Sequence, residues 1–282
     1  MKPTNAVIFA AGTGSRMLPL TAAVQKELLP IGNRPVVDYI VSDLVAAGVT
    51  RIIFVIRPGQ TGLKDYYLGN PELEGRLKLL DKTDAIAQLE TIHDQAKFDF
   101  VEHPLSAGYG TAVPLQLALP LLTTDEPAIV CSGDDFIWRP DGTSEMADFI
   151  QTYQAGRGAG ALMAREAGAH EASAFGLLQT HEDNGREYLT DLIEKPSDHD
   201  APSNLVNISK YILDGTLREY VRSVKPDPKS GELFITDAVG AAAKDQKIAV
   251  HRIKGQYLDT GNLESWLHAN QVVTAGSQKT AH

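Results

Sequence analysis

The chain of 282 residues is expected to be an α/β protein built on a doubly wound, mixed, mainly parallel sheet. Three observations carry that expectation. Ala6-Val7-Ile8-Phe9 and Arg51–Ile56 are continuous apolar runs bounded by turn residues, as strands buried on both faces require. Between them, Val36, Val37, Ile40, Val41, Leu44 and Val45 fall on one helical stripe, so the order is strand, loop, helix, strand. Further on, the apolar run Ala128–Ser132 ends in Gly133-Asp134-Asp135, placing two carboxylates where such a sheet binds ligands.

Taken in order, Asn5–Ala10 is the first strand, residues 35–47 a helix capped by Gly48, and Arg51–Ile56 the second strand. Residues 58–97 are polar, with helical spacing of Leu73, Leu77, Leu80 and then Ile86, Leu89, Ile92; they form an insertion covering one side of the sheet or meeting another subunit. Phe98–Glu102 is a third strand, the glycine-rich turn at 105–112 opens a helix to about Leu122, and Ala128–Ser132 is the fourth strand. The second half is richer in strands: 161–165, 175–180, 188–194, 205–213 and 248–254, with helices at 144–154, 215–224, 234–244 and 262–273. Residues 275–282 carry no apolar pattern and are expected to fray. With no repeat and no long linker, one domain spans 1–282: a nucleotide half to about 140, a sugar half from about 141 to 262, and a closing helix and tail.

The stretch Ala10–Pro30, AAGTGSRMLPLTAAVQKELLP, concentrates the chemistry. Gly12 and Gly14, beside Ala11, let backbone N–H groups close on a phosphate or a base. Arg16 adds a planar cationic fork suited to phosphate oxygens, and Lys26 a point charge in a loop stiffened by Pro19 and Pro30. A dinucleotide fingerprint would need a third glycine at Met17, and a Walker loop a Gly-Lys-Ser/Thr triplet that does not occur. The surviving reading is a site for a nucleoside triphosphate.

A formal charge of −10 argues against a nucleic-acid partner. No apolar run reaches the length of a membrane span, and a cytoplasmic location is expected. Cys131, the one cysteine, sits inside an apolar run and reads as a buried structural thiol. Asp134 could be a hard-cation ligand or a helix N-cap, and the same alternatives hold for Asp259 in Tyr257-Leu258-Asp259-Thr260-Gly261-Asn262.

The pattern A-A-G-x-G-x-R-x-x-P-x-T followed by K-E-x-L-P resembles the signature of the sugar-1-phosphate nucleotidyltransferases. Within that family the likeness is to the bacterial UTP–glucose-1-phosphate uridylyltransferases, on the insertion at 58–97, Gly108-Tyr109-Gly110-Thr111-Ala112-Val113, Glu194-Lys195-Pro196, Ala201-Pro202-Ser203-Asn204-Leu205 and Gly231-Glu232-Leu233. The resemblance implies a Rossmann-like nucleotide-diphospho-sugar transferase fold and attack of a sugar 1-phosphate on the α-phosphorus of UTP. It implies Mg²⁺ held by Asp134 and Asp259. Arg16 falls on the β/γ-phosphates, Lys26 on the α-phosphate, and Lys195 on the sugar phosphate. It further implies Glu194 and Gly176 at the sugar, Gly108, Tyr109 and Gly110 near base and sugar, Glu27 beside the substrate, and His103 where the family has a base-reading glutamine. Homodimers or homotetramers are usual in the family. The chain departs from the pattern at Glu102-His103-Pro104, at Ala107 in place of a lysine, and at Ser209 in place of a glycine. Alternatives of the same chemistry are thymidylyl and other sugar nucleotidylyl transfer; of another class, a non-catalytic sugar-nucleotide-binding paralogue.

Overall fold

The computed structural model describes residues 1–123, 126–168, 175–194 and 203–279, with side chains to residue 276. Its elements are β1 (Asn5–Ala10), β2 (Pro30–Ile31), β3 (Arg34–Pro35), α1 (Val36–Ala46), β4 (Arg51–Ile56), α2 (Gly62–Leu68), α3 (Pro71–Leu79), α4 (Thr83–His93), β5 (Lys97–Glu102), α5 (Val113–Ala118) and β6 (Ala128–Ser132). There follow β7 (Asp135–Trp138), α6 (Glu145–Gly156), β8 (Gly160–Glu166), β9 (Gly176–Asp183), β10 (Arg186–Glu194), β11 (Leu205–Leu213), α7 (Gly215–Ser223), α8 (Ile235–Ala242), β12 (Ile248–Arg252), β13 (Gln256–Asp259) and α9 (Leu263–Lys279).

Nine strands form one sheet in the order β5-β4-β1-β6-β11-β8-β12-β10-β9. The run β5-β4-β1-β6 is parallel. At β6 the direction changes: β11 is antiparallel to both β6 and β8, and β10 to both β12 and β9, while β12 and β8 are parallel. A further contact, Val206 of β11 opposite Leu177 of β9, curls the second half towards a small barrel. The sheet is therefore mixed, and the expectation of a mainly parallel one holds only for the first half. Strand patterning does not carry strand direction, so the reversal at β6 left no mark in the sequence.

Both faces of the sheet are buried, which explains the unbroken apolar runs. Ala6 and Ile8 point into a core shared with Ile40, Leu44, Tyr67, Phe149 and Ala269, whereas Val7 faces Leu115, Leu217 and Val239. The 58–97 segment starts with α2, whose Leu63 and Tyr67 are buried, Tyr67 stacking on Phe54 of β4. Helices α3 and α4 bury no residue and pack on each other outside it. The last helix continues to Lys279, past the expected end at Val273 and into the stretch 275–282 expected to fray, because Ala269 and Val273 bury in the core and Gly276 sits against Trp138. Asn262 Oδ1 accepts from Ser265 N (3.0 Å), so Asn262 caps that helix and Asp259 is left for other work.

Two short strands absent from the sequence-based expectation matter most for the site. β7 and β13 pair antiparallel, with Asp259 opposite Asp135. That ladder carries the Asp-Thr-Gly-Asn segment to the carboxyl end of β6.

Candidate active site

The loop after β1 turns back over the sheet in three short 3₁₀ turns, at Ser15–Met17, Leu20–Ala22 and Lys26–Leu28. Gly14 is in the left-handed region (φ 66°), and its carbonyl accepts from Thr21 Oγ1 at 2.7 Å, which closes the loop on itself. The third turn delivers Lys26 to Asp134 across 108 positions of chain: Nζ donates to Oδ2 at 2.5 Å. A Cβ at Gly12 would lie 3.0 Å from both Cε and Nζ of Lys26, so the glycine makes room for the lysine as well as for a ligand.

Burial works against the charge on Lys26, but Asp134 and Glu27 outweigh it and hold its pKa above the ordinary lysine value. Burial likewise opposes ionisation of Asp134, and Lys26, Lys210 and Arg16 overrule it, leaving that carboxyl below the ordinary range. The site is thus a charged pair at neutral pH. Glu27 is 1% exposed, packed 3.8 Å from Lys26 Nζ, and burial pushes its pKa up to about 7 despite Lys26. The resemblance implies Glu27 beside the substrate, and the structure sets its carboxylate next to Lys26.

Asp259 reaches the same end of the sheet through the β7–β13 ladder. Its neighbour Thr260, fully buried, donates from N (3.0 Å) and Oγ1 (2.6 Å) to the carbonyl of Asp134. A Cβ at Gly261 would fall 2.6 Å from Arg16 Nη2 and 3.1 Å from Asp259 Oδ1, so Arg16 and Asp259 flank one point. The structure brings Arg16, Lys26, Asp134 and Asp259 together from three segments of chain.

Asp135 does different work from Asp134. Its carboxylate is buried and accepts from Ser132 Oγ (2.6 Å), from Tyr257 Oη (3.1 Å) and from Lys210 Nζ. Lys210 is 1% exposed, on β11, and follows Ser209, which adopts φ 54° where the family has glycine. Sequence reasoning missed Lys210 and Tyr257. The signal for Lys210 was present, a single cation inside the apolar strand run Leu205–Leu213, since a buried lysine implies a buried partner.

The remaining expected residues lie around this centre. His103 continues from β5, and its Nε2 lies 3.0 Å from the carbonyl of Gly108. Gly108 (φ 94°) opens to solvent and Tyr109 is 69% exposed. Gly110 is different: a Cβ there would meet the Leu233 backbone at 2.4 Å, so its smallness serves chain packing. Gly176 stands opposite Glu194 in the β9–β10 ladder, and Glu194 Oε2 would be 3.2 Å from a Cβ at that position. Gly176 thus opens the strand expected over 175–180. Lys195, expected at the sugar phosphate, lies outside the described residues, as do Pro196, Ala201 and Pro202. A cavity of about 610 Å³ beside Asp259 is walled by Arg165, Phe175, Tyr257, Asn262 and His268, with the Arg165 guanidinium 5.0 and 5.1 Å from the two ring centres.

Among the described residues no three His, Cys, Asp or Glu side chains gather to hold an ion. Asp134 and Asp259 offer two hard carboxylates, and among the described residues each retains an oxygen little engaged: no donor reaches Asp134 Oδ1, and Asp259 Oδ2 has only Ser265 Oγ at 3.5 Å. Two carboxylates completed by phosphate and water oxygens suit Mg²⁺, which seldom takes an all-protein cage.

A mixed α/β fold with a glycine loop, a cationic pair and two carboxylates at the carboxyl ends of β1 and β6 defines a phosphoryl-group-handling enzyme of the nucleotidyl-transferring class. The chain belongs to the nucleotidyl transferase family, whose model matches residues 5–276. It is similar to the UTP–glucose-1-phosphate uridylyltransferase of Pseudomonas aeruginosa, 32% identical over 261 residues that cover 92% of either chain. The enzyme of that name from Streptococcus pneumoniae is 31% identical over 272 residues, covering 93% of this chain and 87% of its own. Among solved structures, UDP-glucose pyrophosphorylase complexed with UDP-glucose superimposes with a TM-score of 0.83 at 27% identity, over 97% of this chain and 99% of the other. The apo form of a UDP-glucose pyrophosphorylase gives 0.86 at 28% identity, over 97% and 98%.

Proposed function

We propose that this chain transfers a uridylyl group from UTP to α-D-glucose 1-phosphate, forming UDP-glucose and releasing pyrophosphate. The observation that carries it is the Lys26–Asp134 pair at the end of β6, with Asp259 and Arg16 flanking Gly261. Relatives of matching length and fold carry the same activity in their names.

The sugar phosphate arrives ionised, so its oxygen attacks the α-phosphorus directly. The new O–Pα bond forms as the bond to the β-phosphate oxygen breaks, with no proton to move and no general base required. What remains for the protein is positioning and charge. Lys26, kept protonated by Asp134 and Glu27, faces the α-phosphate. Arg16 binds the β- and γ-phosphates and takes up charge on the departing pyrophosphate. The backbone of Ala11, Gly12 and Gly14 and the His103–Gly108 loop line the nucleotide, and Glu194 beside Gly176 takes sugar hydroxyls, with Lys195 following it in sequence at the sugar phosphate. Mg²⁺, when bound by Asp134 and Asp259, supplies neutralisation of the charge shared by the two reacting phosphates.

The test is a panel of nucleoside triphosphates against sugar 1-phosphates, scored by pyrophosphate release. UTP with glucose 1-phosphate should give the highest kcat/KM. A preference for dTTP would move the reading to thymidylyl transfer, and tight UDP-glucose binding without turnover would make the chain a non-catalytic binder.

A further inference from the structure

Strand β11 is buried at every position but one, and the exception is Ser209. Its backbone there is left-handed (φ 54°), a conformation that a residue with a Cβ adopts only at a cost. The cause is a bulge. Between the β8 pairs Asn207–Ala164 and Tyr211–Leu162, β11 carries Ile208, Ser209 and Lys210 where β8 has Met163 alone. A serine kept where a glycine would sit without strain needs a reason.

The bulge is held by its own polar groups. Asn207, 3% exposed, accepts from the Ser209 N–H at Oδ1 (3.1 Å) and donates from Nδ2 to Tyr211 Oη (2.5 Å). Both ends of a buried amide are thus given to fixing this turn of chain, while the Ser209 side chain stays at the rim. The ladders on either side set its place. Lys210 is the last residue of β11 paired with β6, opposite Cys131, so Ser209 lies at the carboxyl end of β6 that carries Asp134. On the other side Val206 faces Leu177 of β9, next to Gly176, and Gly176 stands opposite Glu194. Leu178, Leu192 and Tyr211 share one core, so Gly176 and Glu194, each two residues along its strand, lie on the face that Asn207 and Tyr211 occupy. Burial pushes the Tyr211 phenol up, hydrogen bonding by Asn207 and Ser209 opposes that, and the charge of Glu194 adds to it. The bulge therefore spans the gap between Glu194 and Asp134.

We propose that Ser209 is a specificity-determining residue of the sugar site, its hydroxyl bonding a ring hydroxyl of the hexose 1-phosphate. The inference rests on the uridylyl-transfer reading above and adds a residue to it. A serine hydroxyl donates and accepts, as a sugar hydroxyl does, whereas an ionised Glu194 only accepts. A site built to bond a hydroxyl rejects the analogue lacking it more strongly than an apolar wall does, because its own polar group is then left unpaired. Asn207 is the positioning residue, since it fixes the backbone on which that hydroxyl stands. The strain at Ser209 persists because the glycine that would relieve it carries no hydroxyl.

Steady-state kinetics with UTP against glucose 1-phosphate and each of its monodeoxy analogues tests this. Ser209→Gly should lower kcat/KM for glucose 1-phosphate by about three- to tenfold, for loss of one neutral hydrogen bond, and leave the KM for UTP unchanged. With one monodeoxy analogue, and only that one, Ser209→Gly should cost nothing, because the partner hydroxyl is already gone. Ser209→Ala, which keeps the Cβ and loses the hydroxyl, should show the same pattern. Glycine adopts the left-handed conformation freely, so the melting temperature of Ser209→Gly should not fall, and its loss of sugar selectivity is not a loss of fold. An unchanged kcat/KM for glucose 1-phosphate in Ser209→Gly, an equal penalty with every analogue, or a KM for UTP that rises in step overturns the proposal while uridylyl transfer stands. An unaltered protein that turns over no sugar 1-phosphate takes away that reading, and this inference with it.

Discussion

Replacing Lys26 by methionine removes one charge from the centre of the site while keeping most of the length of the side chain. In the structure Nζ contributes a 2.5 Å contact to Asp134, with the two side chains only 16% and 15% exposed. Loss of one preorganised charge aimed at a reacting phosphate lowers kcat by on the order of 10²–10³, or about 2.7–4 kcal/mol of transition-state stabilisation. Folding stability should fall less. Breaking a fully buried pair costs about 3–5 kcal/mol, but Arg16 and Lys210 still act on Asp134, which brings the expected loss to about 1–3 kcal/mol. The assay is pyrophosphate release at saturating UTP, glucose 1-phosphate and Mg²⁺, with thermal unfolding of the same preparation as control. Lys26→Arg should fall between the two, because Gly12 leaves space for an ammonium and not for a guanidinium fork. A folded Lys26→Met protein with kcat within about threefold of the unaltered enzyme would remove Lys26 from the chemistry.

Other expectations follow from contacts elsewhere. Gly261→Ala places a methyl group 2.6 Å from Arg16 Nη2, so the guanidinium must swing away; kcat/KM for UTP should drop about tenfold with little change in melting temperature, checked by steady-state kinetics. Glu145 is fully buried, and although burial opposes its ionisation, hydrogen bonds from His251, Arg139 and the Lys254 and Gly255 backbone pull its pKa down to about 2. A lowered carboxyl pKa stabilises the fold above its unfolded value near 4.5, and that stability, up to about 3 kcal/mol, is lost as pH falls from there towards 2; Glu145→Gln should flatten this part of the urea-unfolding pH profile. Cys131 is buried and its thiol is pushed up to about 12, so the native protein should not react with a thiol reagent at pH 8, while the urea-unfolded chain should react at once.

Much of the first half was legible because parallel strands buried on both faces write themselves as unbroken apolar runs; β1, β4, β6 and α1 fall within a residue or two of their expected bounds. The second half was harder for the same physical reason in reverse. The β7–β13 ladder is four residues to a side, too short to show a period, yet it sets Asp259 opposite Asp135. The direction change at β6 and the β9–β11 contact are long-range pairings with no local pattern. In the site, the glycine loop, Arg16, Lys26, Asp134 and Asp259 could be picked out because unusual residue types crowd a few short motifs. The packing of Glu27 against Gly133, the packing role of Gly110 and the Lys210–Asp135 pair depend on neighbours more than fifty positions away, which no motif contains.

The most direct test of the two-carboxylate site is equilibrium binding of Mn²⁺, as a spectroscopic stand-in for Mg²⁺, in the presence of UTP. One ion per chain should bind, and Asp134→Asn and Asp259→Asn should each weaken it by about tenfold or more while the fold persists. Undiminished Mn²⁺ binding in a folded Asp259→Asn protein would contradict a centre built from those two side chains.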